Sequence, residues 1–296
     1  MQDITRSKDM RAWSRTERAR GRRIAFVPTM GYLHEGHLRL VDRAKQRTDR
    51  VVLSVFVNPL QFGPNDDFTT YPRDLARDRS LALERGVDCL FVPEPQAMYP
   101  REPLVRVAPG PMADTLEGAA RPGHFAGVLT VVAKLFHIVE PDLAVFGRKD
   151  FQQAMLVRQM AADLDFGLEI DVAPTVRELD GLALSSRNTY LTGDERRAAL
   201  ALSRALRTVE QGWRAGEADP NVLQRRGTDV LKAPGVVAEY LELADEQLHP
   251  VARADAHTIV MVAAKVGVTR LIDNVVLGEG VAGDVSVGVV SRDHDA

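Results

Sequence analysis

Five short runs in the first 175 residues, at 24–28, 51–57, 88–92, 143–146 and 168–172, read as strands, and the first four are apolar almost without interruption. A strand with one face in water alternates apolar and polar residues, whereas a run apolar at every position must be covered on both faces. Between these runs lie stretches of helical periodicity at 36–47, 72–85, 125–138 and 151–164. Strand, helix and strand repeated in this way predict right-handed βαβ crossovers. The expected fold class is therefore α/β, with a doubly wound, Rossmann-like parallel sheet. Ligands of such sheets bind beyond the carboxyl ends of the strands, so the segments following the strands carry the candidate chemistry.

The pattern changes after residue 173. Residues 174–191 are polar and small without a clean period, and Thr192-Gly-Asp-Glu195 has the form of a capping box opening a long helix to about Arg214. A second helix is expected at 220–231. Strand-like runs follow at 237–244, 258–266 and 270–277, with Val266-Gly-Val-Thr269 offering a turn between the last two. The expected division is a Rossmann-like nucleotide- and acid-binding domain at 1–177 and a smaller α+β lid domain with an antiparallel sheet at 178–296. The polar end 291–296 is expected to fray.

A formal net charge of -3 over 296 residues argues against a nucleic acid partner. The single cysteine, Cys89, excludes an intrachain disulfide framework, and its apolar surroundings predict a buried small hydrophobe. The Arg-rich first two dozen residues lack the apolar core of a secretory signal, and no window reaches the roughly 18 apolar residues of a membrane span. A cytoplasmic protein without membrane contact is expected.

The first run leads into Pro28-Thr-Met-Gly-Tyr-Leu-His-Glu-Gly-His37. Loop glycines allow close approach to phosphates, a helix N-terminus supplies unpaired N–H groups, and two imidazoles can bind developing phosphate charge. By spacing alone, His34 and His37 also fit half of a metal site or a structural helix entrance. The glycine inside the motif favours phosphate, and no further His or Glu nearby completes a zinc set. The His-x-Gly-His pattern after the first strand resembles that of enzymes that cut ATP between its α- and β-phosphates.

Further blocks narrow the resemblance. They are Phe56-Val-Asn-Pro-Leu-Gln-Phe-Gly63, Tyr71-Pro-Arg73, Arg121-Pro-Gly-His-Phe-Ala-Gly-Val128, Phe146-Gly-Arg-Lys-Asp-Phe-Gln-Gln153 and Pro174-Thr-Val-Arg-Glu-Leu-Asp-Gly-Leu-Ala-Leu-Ser-Ser-Arg-Asn188. In this order, across roughly residues 24 to 191, they resemble the pantothenate synthetase family. The resemblance implies that pantoate and ATP give a pantoyl-adenylate, which the amine of β-alanine then attacks to give pantothenate and AMP. It also implies Mg2+ accompanying the ATP, no protein-held metal, and a homodimer.

Activating a carboxylate against an α-phosphate needs fixed cations and donors more than a base. By resemblance, His34, His37, Lys149 and Arg187 carry the catalysis, with His37 the proton donor to the triphosphate. ATP is expected on Met30, Gly31, His34, Gly36, His37, Gly147, Lys149, Asp150, Val176, Leu184, Ser185, Ser186 and Arg187. Gln61, Gln153 and Met30 are expected to bind pantoate or β-alanine, with Phe62, Val131 and Val132 as candidates for an apolar wall. The plain alternatives are a solvated Lys149–Asp150 pair and a cap or turn at Ser185-Ser186. Two rival functions are a nucleotidyltransferase adding AMP to a phosphorylated acceptor, and a regulatory nucleotide-binding module. The first calls for an extra basic patch, and the second for loss of Lys149 or a histidine. Two positions depart from the family. Arg148 stands where an acid is usual, which predicts altered ATP affinity or salt dependence, and Leu184 replaces a methionine at conserved volume.

Overall fold

Covering apolar strands on both faces requires a helix layer on each side, and the computed structural model, which describes residues 1–64, 66–281 and 284–287, has this arrangement. The chain divides into two compact units, Met1–Gly147 with Phe151–Ala173, and Arg148–Asp150 with the described residues from Pro174 onward. The second unit thus takes in the Arg148–Asp150 turn, which the expected 1–177 domain includes. The expected frayed end at 291–296 lies outside the described residues.

The first unit contains, in chain order, β1 (Gln2–Ile4), α1 (Ser7–Ala19), β2 (Ile24–Thr29), α2 (Glu35–Arg47), β3 (Arg50–Val55), α3 (Leu75–Glu84), β4 (Cys89–Phe91), α4 (Pro95–Met98), α5 (Glu117–Ala120), α6 (His124–Val139), β5 (Leu143–Gly147), α7 (Phe151–Asp163) and β6 (Glu169–Ala173). Its six strands are all parallel, in the order β1-β4-β3-β2-β5-β6. Chain order reverses between β2 and β5, which makes their carboxyl ends the switch point where ligands of this architecture bind.

Alternate residues of β2 serve opposite layers. Ala25 and Val27 join Leu40, Val41 and Ala44 of α2 in one cluster. Phe26 meets Phe136 of α6 edge-on, with ring centroids 6.4 Å apart. Ile24 to Val27 are thereby fully out of water, which is why the hydrophobicity there is continuous. Cys89 is fully buried on β4, and burial pushes its thiol up to about 12. It is a packing residue.

The sheet gains an edge strand and a helix not anticipated from the sequence. β1 pairs with β4, and α1 buries Met10, Ser14 and Glu17. Glu17 accepts from Arg20, Arg22 and Arg50 at 2.6 to 2.8 Å, so the buried stripe of this Arg-rich helix is partly polar and escapes a hydrophobic-period reading.

The second unit contains β7 (Val176–Glu178), α8 (Gly193–Arg214), α9 (Pro220–Leu231), β8 (Val236–Ala244), β9 (Ile259–Val266), β10 (Thr269–Val276) and β11 (Val285–Val287). Thr192 caps α8 through the reciprocal box with Glu195. The antiparallel sheet runs β10-β9-β8 and packs Val260, Val262 and Leu271 with Leu202, Leu206 and Val209 of α8. A further parallel pair, β7 with β11, was not foreseen.

Candidate active site

In the first unit the segment after β2 turns abruptly before α2. Gly31 has φ +84, and a Cβ there would stand 2.7 Å from Val55 Cγ1 and 2.9 Å from Asp78 Oδ2. Gly31 N donates to Thr29 Oγ1 at 3.1 Å, and Thr29 Oγ1 donates to the Ser54 carbonyl at 2.6 Å. The next two amides, of Tyr32 and Leu33, donate to the two oxygens of Asp78 at 2.8 and 2.6 Å. Arg77 Nη1 donates to the Leu33 carbonyl at 2.7 Å. The start of α3 therefore holds the loop by both its donors and its acceptors. Burial pushes the Asp78 carboxyl above the usual carboxylate range, while the Leu33 and Tyr32 amides work the other way. Asp78 escapes sequence reasoning because nothing local marks a helical aspartate as the partner of a loop some 45 residues earlier.

His34 is the N-cap of α2, and its amide donates to His37 Nδ1 at 3.3 Å. The two rings lie 4.0 Å apart at 32°. With Nδ1 accepting, the His37 proton sits on Nε2, so the ring presents an N–H donor. This favours phosphate binding over the half-metal-site alternative, since a ligating nitrogen must offer a lone pair. Among the described residues no group of three or more His, Cys, Asp or Glu side chains stands close enough to hold a metal ion. Gly36 lies in the first turn of α2, where N–H groups point at any bound anion. Glu35, beside it, is neutralised by Arg85 and by Arg39 at 3.0 Å.

Gln61 is buried, and its amide is oriented by its neighbours. Asn58 Nδ2 donates to Gln61 Oε1 at 3.1 Å, and Tyr99 donates its hydroxyl to Asn58 Oδ1 at 3.0 Å. The Gln61 NH2 group is thereby turned toward Met30, with Nε2 3.3 Å from Sδ. The Gln61 carbonyl accepts from His124 Nδ1 at 2.8 Å. Gly127 permits this close docking of α6, because a Cβ there would lie 2.2 Å from the Leu60 carbonyl oxygen. Met30 and Gln61 are thus brought together. Gln153 is half-buried on α7, next to Gln152, which donates to the Met112 and Thr115 carbonyls at 2.9 Å. Gly147 ends β5 at the switch point. Phe62 packs edge-on with Phe68 and Tyr71, and Val131 and Val132 are core residues of α6.

In the second unit Lys149 is half-buried and Asp150 exposed, and among the described residues they form no ion pair with one another. Asn274 Nδ2 donates to the carbonyls of Arg148 and Lys149 at 2.8 and 2.9 Å, fixing the turn. Lys149, Ser185, Asn188 and Asp273 border one cleft of about 10 Å³, room for about one water. Ser185 caps the short 3-10 helix Ser186–Tyr190 by accepting from Arg187 N at 3.3 Å, which leaves its O–H to donate elsewhere. The cap reading of Ser185 is therefore correct and compatible with a donor role. Ser186 is buried and Arg187 half-buried. The Val176 side chain is buried, and its carbonyl accepts from Leu184 N at 2.9 Å.

Arg148 corrects the reading of this position. Its guanidinium is buried, donating to Asp284 at 2.7 Å and to Glu279. Two carboxylates consume the charge, so the expected shift in ATP affinity or salt dependence has no free cation behind it.

Gly31→Ala tests the loop. The strained φ alone costs about 1–3 kcal/mol, and the contact with Val55 forces the Met30–His34 backbone to move. A lower unfolding temperature with reduced activity is expected, and a variant as stable and active as the parent would contradict this geometry.

Comparison with known proteins supplies the family. The model of the pantoate-beta-alanine ligase family matches residues 2–276. The pantothenate synthetase of Pelotomaculum thermopropionicum is 51% identical over 273 residues, covering 92% of this chain and 97% of that protein. That of Saccharopolyspora erythraea is 52% identical, covering 92% of this chain and 89% of that protein. The crystal structure of pantothenate synthetase from Thermus thermophilus superposes with a TM-score of 0.89 at 46% identity, covering 94% of this chain and 99% of that one. A pantoate-beta-alanine ligase from Francisella tularensis, crystallised with beta-gamma ATP and beta-alanine, gives 0.80 at 35% identity, over 95% and 99% of the two chains. With the family model spanning nearly the whole chain and relatives at about half identity over most of their length, this chain belongs to the pantoate-beta-alanine ligase family.

Proposed function

We propose that this protein joins pantoate to β-alanine at the expense of ATP, through a pantoyl-adenylate, releasing AMP and pyrophosphate. The observation that carries the reading is the loop at the switch point, where Gly31, the His37 Nε2–H and the N-terminus of α2 form an anion-binding surface. The Francisella relative was crystallised with an ATP compound and β-alanine, the ligands this surface and its neighbouring amide would take.

His37 acts as a hydrogen-bond donor to phosphate oxygens. Acting as a full acid instead would require a proton on Nδ1, at the expense of the bond from His34 N. The Gln61 amide offers N–H groups to a substrate carboxylate without neutralising it, so the acid stays nucleophilic. Lys149, Ser185 and Arg187 stabilise charge as pyrophosphate leaves, Asp150 accepts from ribose hydroxyls, and Gln153 assists in substrate binding. The second step needs β-alanine as its free amine, and positioning against the reactive anhydride suffices. Mg2+ enters on the triphosphate, since this ion keeps several waters and is held largely by substrate phosphates.

The first step alone is accessible by isotope exchange. Pyrophosphate is expected to exchange into ATP when pantoate is present and β-alanine absent. Exchange without pantoate, or none with it, would contradict an acyl-adenylate. The second unit is proposed as a lid over the nucleotide, and scattering profiles identical with and without ATP would count against that role. A cytoplasmic homodimer is the expected assembly, to be checked by light scattering.

A further inference from the structure

Arg148 precedes Lys149 on the turn, and its side chain is anchored beyond residue 276, where the match to the family model ends. Its Nη2 donates to Asp284 Oδ1 at 2.7 Å, and Nη1 donates to Glu279. The Arg148 and Asp284 side chains are 7% and 1% exposed. The match to the family model ends at residue 276, and both acceptors come from the segment beyond that point.

That segment is built into the second unit at several points. The second oxygen of Asp284 accepts from Arg177 Nε at 2.7 Å. Val281 lies in the apolar cluster of α8, and its amide donates to Glu210 Oε2 at 2.9 Å. β11 runs beside β7 in parallel register, from Val285 opposite Val176 to Val287 opposite Glu178. The turn carrying Lys149 is therefore held twice. Asn274, within the family match, takes its carbonyls, and Asp284, beyond the match, takes the neighbouring side chain.

We propose that Arg148 is a positioning residue for Lys149 and acts through Asp284, so that the segment beyond residue 276 sets the turn that presents the ammonium to the triphosphate. This rests on the reading of Lys149 given above. An exposed arginine here would serve as a mobile cation, whereas one held by a carboxylate that is itself fixed by Arg177 defines a backbone position.

The test compares the two half-reactions in the full chain. In Arg148→Gln, Asp284 keeps Arg177, so the fold is retained. Pyrophosphate exchange into ATP should fall roughly ten- to a hundredfold, as small displacements of a reacting group commonly produce. The rate at which β-alanine consumes supplied pantoyl-adenylate should remain that of the parent. Asp284→Ala should show the same split, and the double variant should fall no further than the worse single one. If Asp284→Ala does not fold, Arg148→Gln alone decides. Unchanged exchange in Arg148→Gln overturns the proposal, as does an equal loss in both half-reactions or multiplicative losses in the double variant. Lys149→Ala run alongside separates the two claims. If it exchanges normally, the role of Lys149 fails and the positioning role falls with it. If it is inactive while Arg148→Gln is normal, only the positioning role fails.

Discussion

Lys149→Ala is expected to slow adenylate formation by about two decades or more, as loss of a charge contact made in the transition state commonly does. The turn that carries Lys149 is held by the Asn274 side-chain amide on two backbone carbonyls and by the Arg148 side chain, neither of which uses the Lys149 ammonium. Removing that side chain therefore deletes a charge without dismantling the turn. Thermal stability should stay near that of the parent while single-turnover adenylate formation collapses. Substrate affinity should change less than the rate, because the charge to be neutralised grows as pyrophosphate departs. Near-parent turnover would remove Lys149 from the catalytic set.

The largest effect on stability is expected at Arg177. Its guanidinium has five N–H groups. Nε donates to Asp284, Nη1 to Gly181 O and Asp273 Oδ2, and Nη2 to Asp273 Oδ1 and Asn274 O, at 2.6 to 3.2 Å. The residue is 1% exposed. Burial works against its charge, and Asp273 and Asp284 more than offset that, so its pKa stands above the ordinary arginine value. Arg177→Met would leave the buried Asp273 carboxylate without its cation and Asp284 with Arg148 alone, a change that costs about 3–5 kcal/mol in comparable buried pairs. Arg177→Lys should restore little, because one ammonium cannot replace a fork that meets Asp273 bidentately. Denaturant unfolding monitored by Trp213, on α8 of the same unit, should show the midpoint falling in both variants. An unchanged midpoint in Arg177→Met would contradict the network.

The contrast between Arg177 and β2 shows what the sequence could reveal. β2 is legible because Ile24 to Val27 are all apolar and covered on both faces, so the pattern of burial is written locally. The helix at 193–214 is legible because its stop and start are local too, with Thr192 and Glu195 three residues apart. β7 is not. Its buried residues Arg177 and Glu178 look solvent-exposed by type, and the partners that allow their burial lie at 273 and 284, or at 188 and 196. The same applies to Arg148, whose charge looked available until Asp284 and Glu279 were placed beside it.

The candidate site divides along the same line. The His34-x-x-His37 loop announces itself through glycines and a helix start, whereas Asp78, which holds its amides, is recognised only from hydrogen bonds to chain some 45 residues away. Gln61 was identifiable by resemblance, but the direction of its amide is set by Asn58 and Tyr99. Motifs thus name the candidate groups, and tertiary contacts decide which atom each presents.

The most direct measurement is a substrate-omission assay on the purified protein. With ATP, Mg2+, pantoate and β-alanine together, AMP, pyrophosphate and pantothenate should appear in equal amounts over many turnovers. Omitting β-alanine should stop the reaction after about one adenylate per site, and omitting pantoate should abolish it. Sustained ATP cleavage driven by phosphopantetheine in place of pantoate and β-alanine would contradict the assignment.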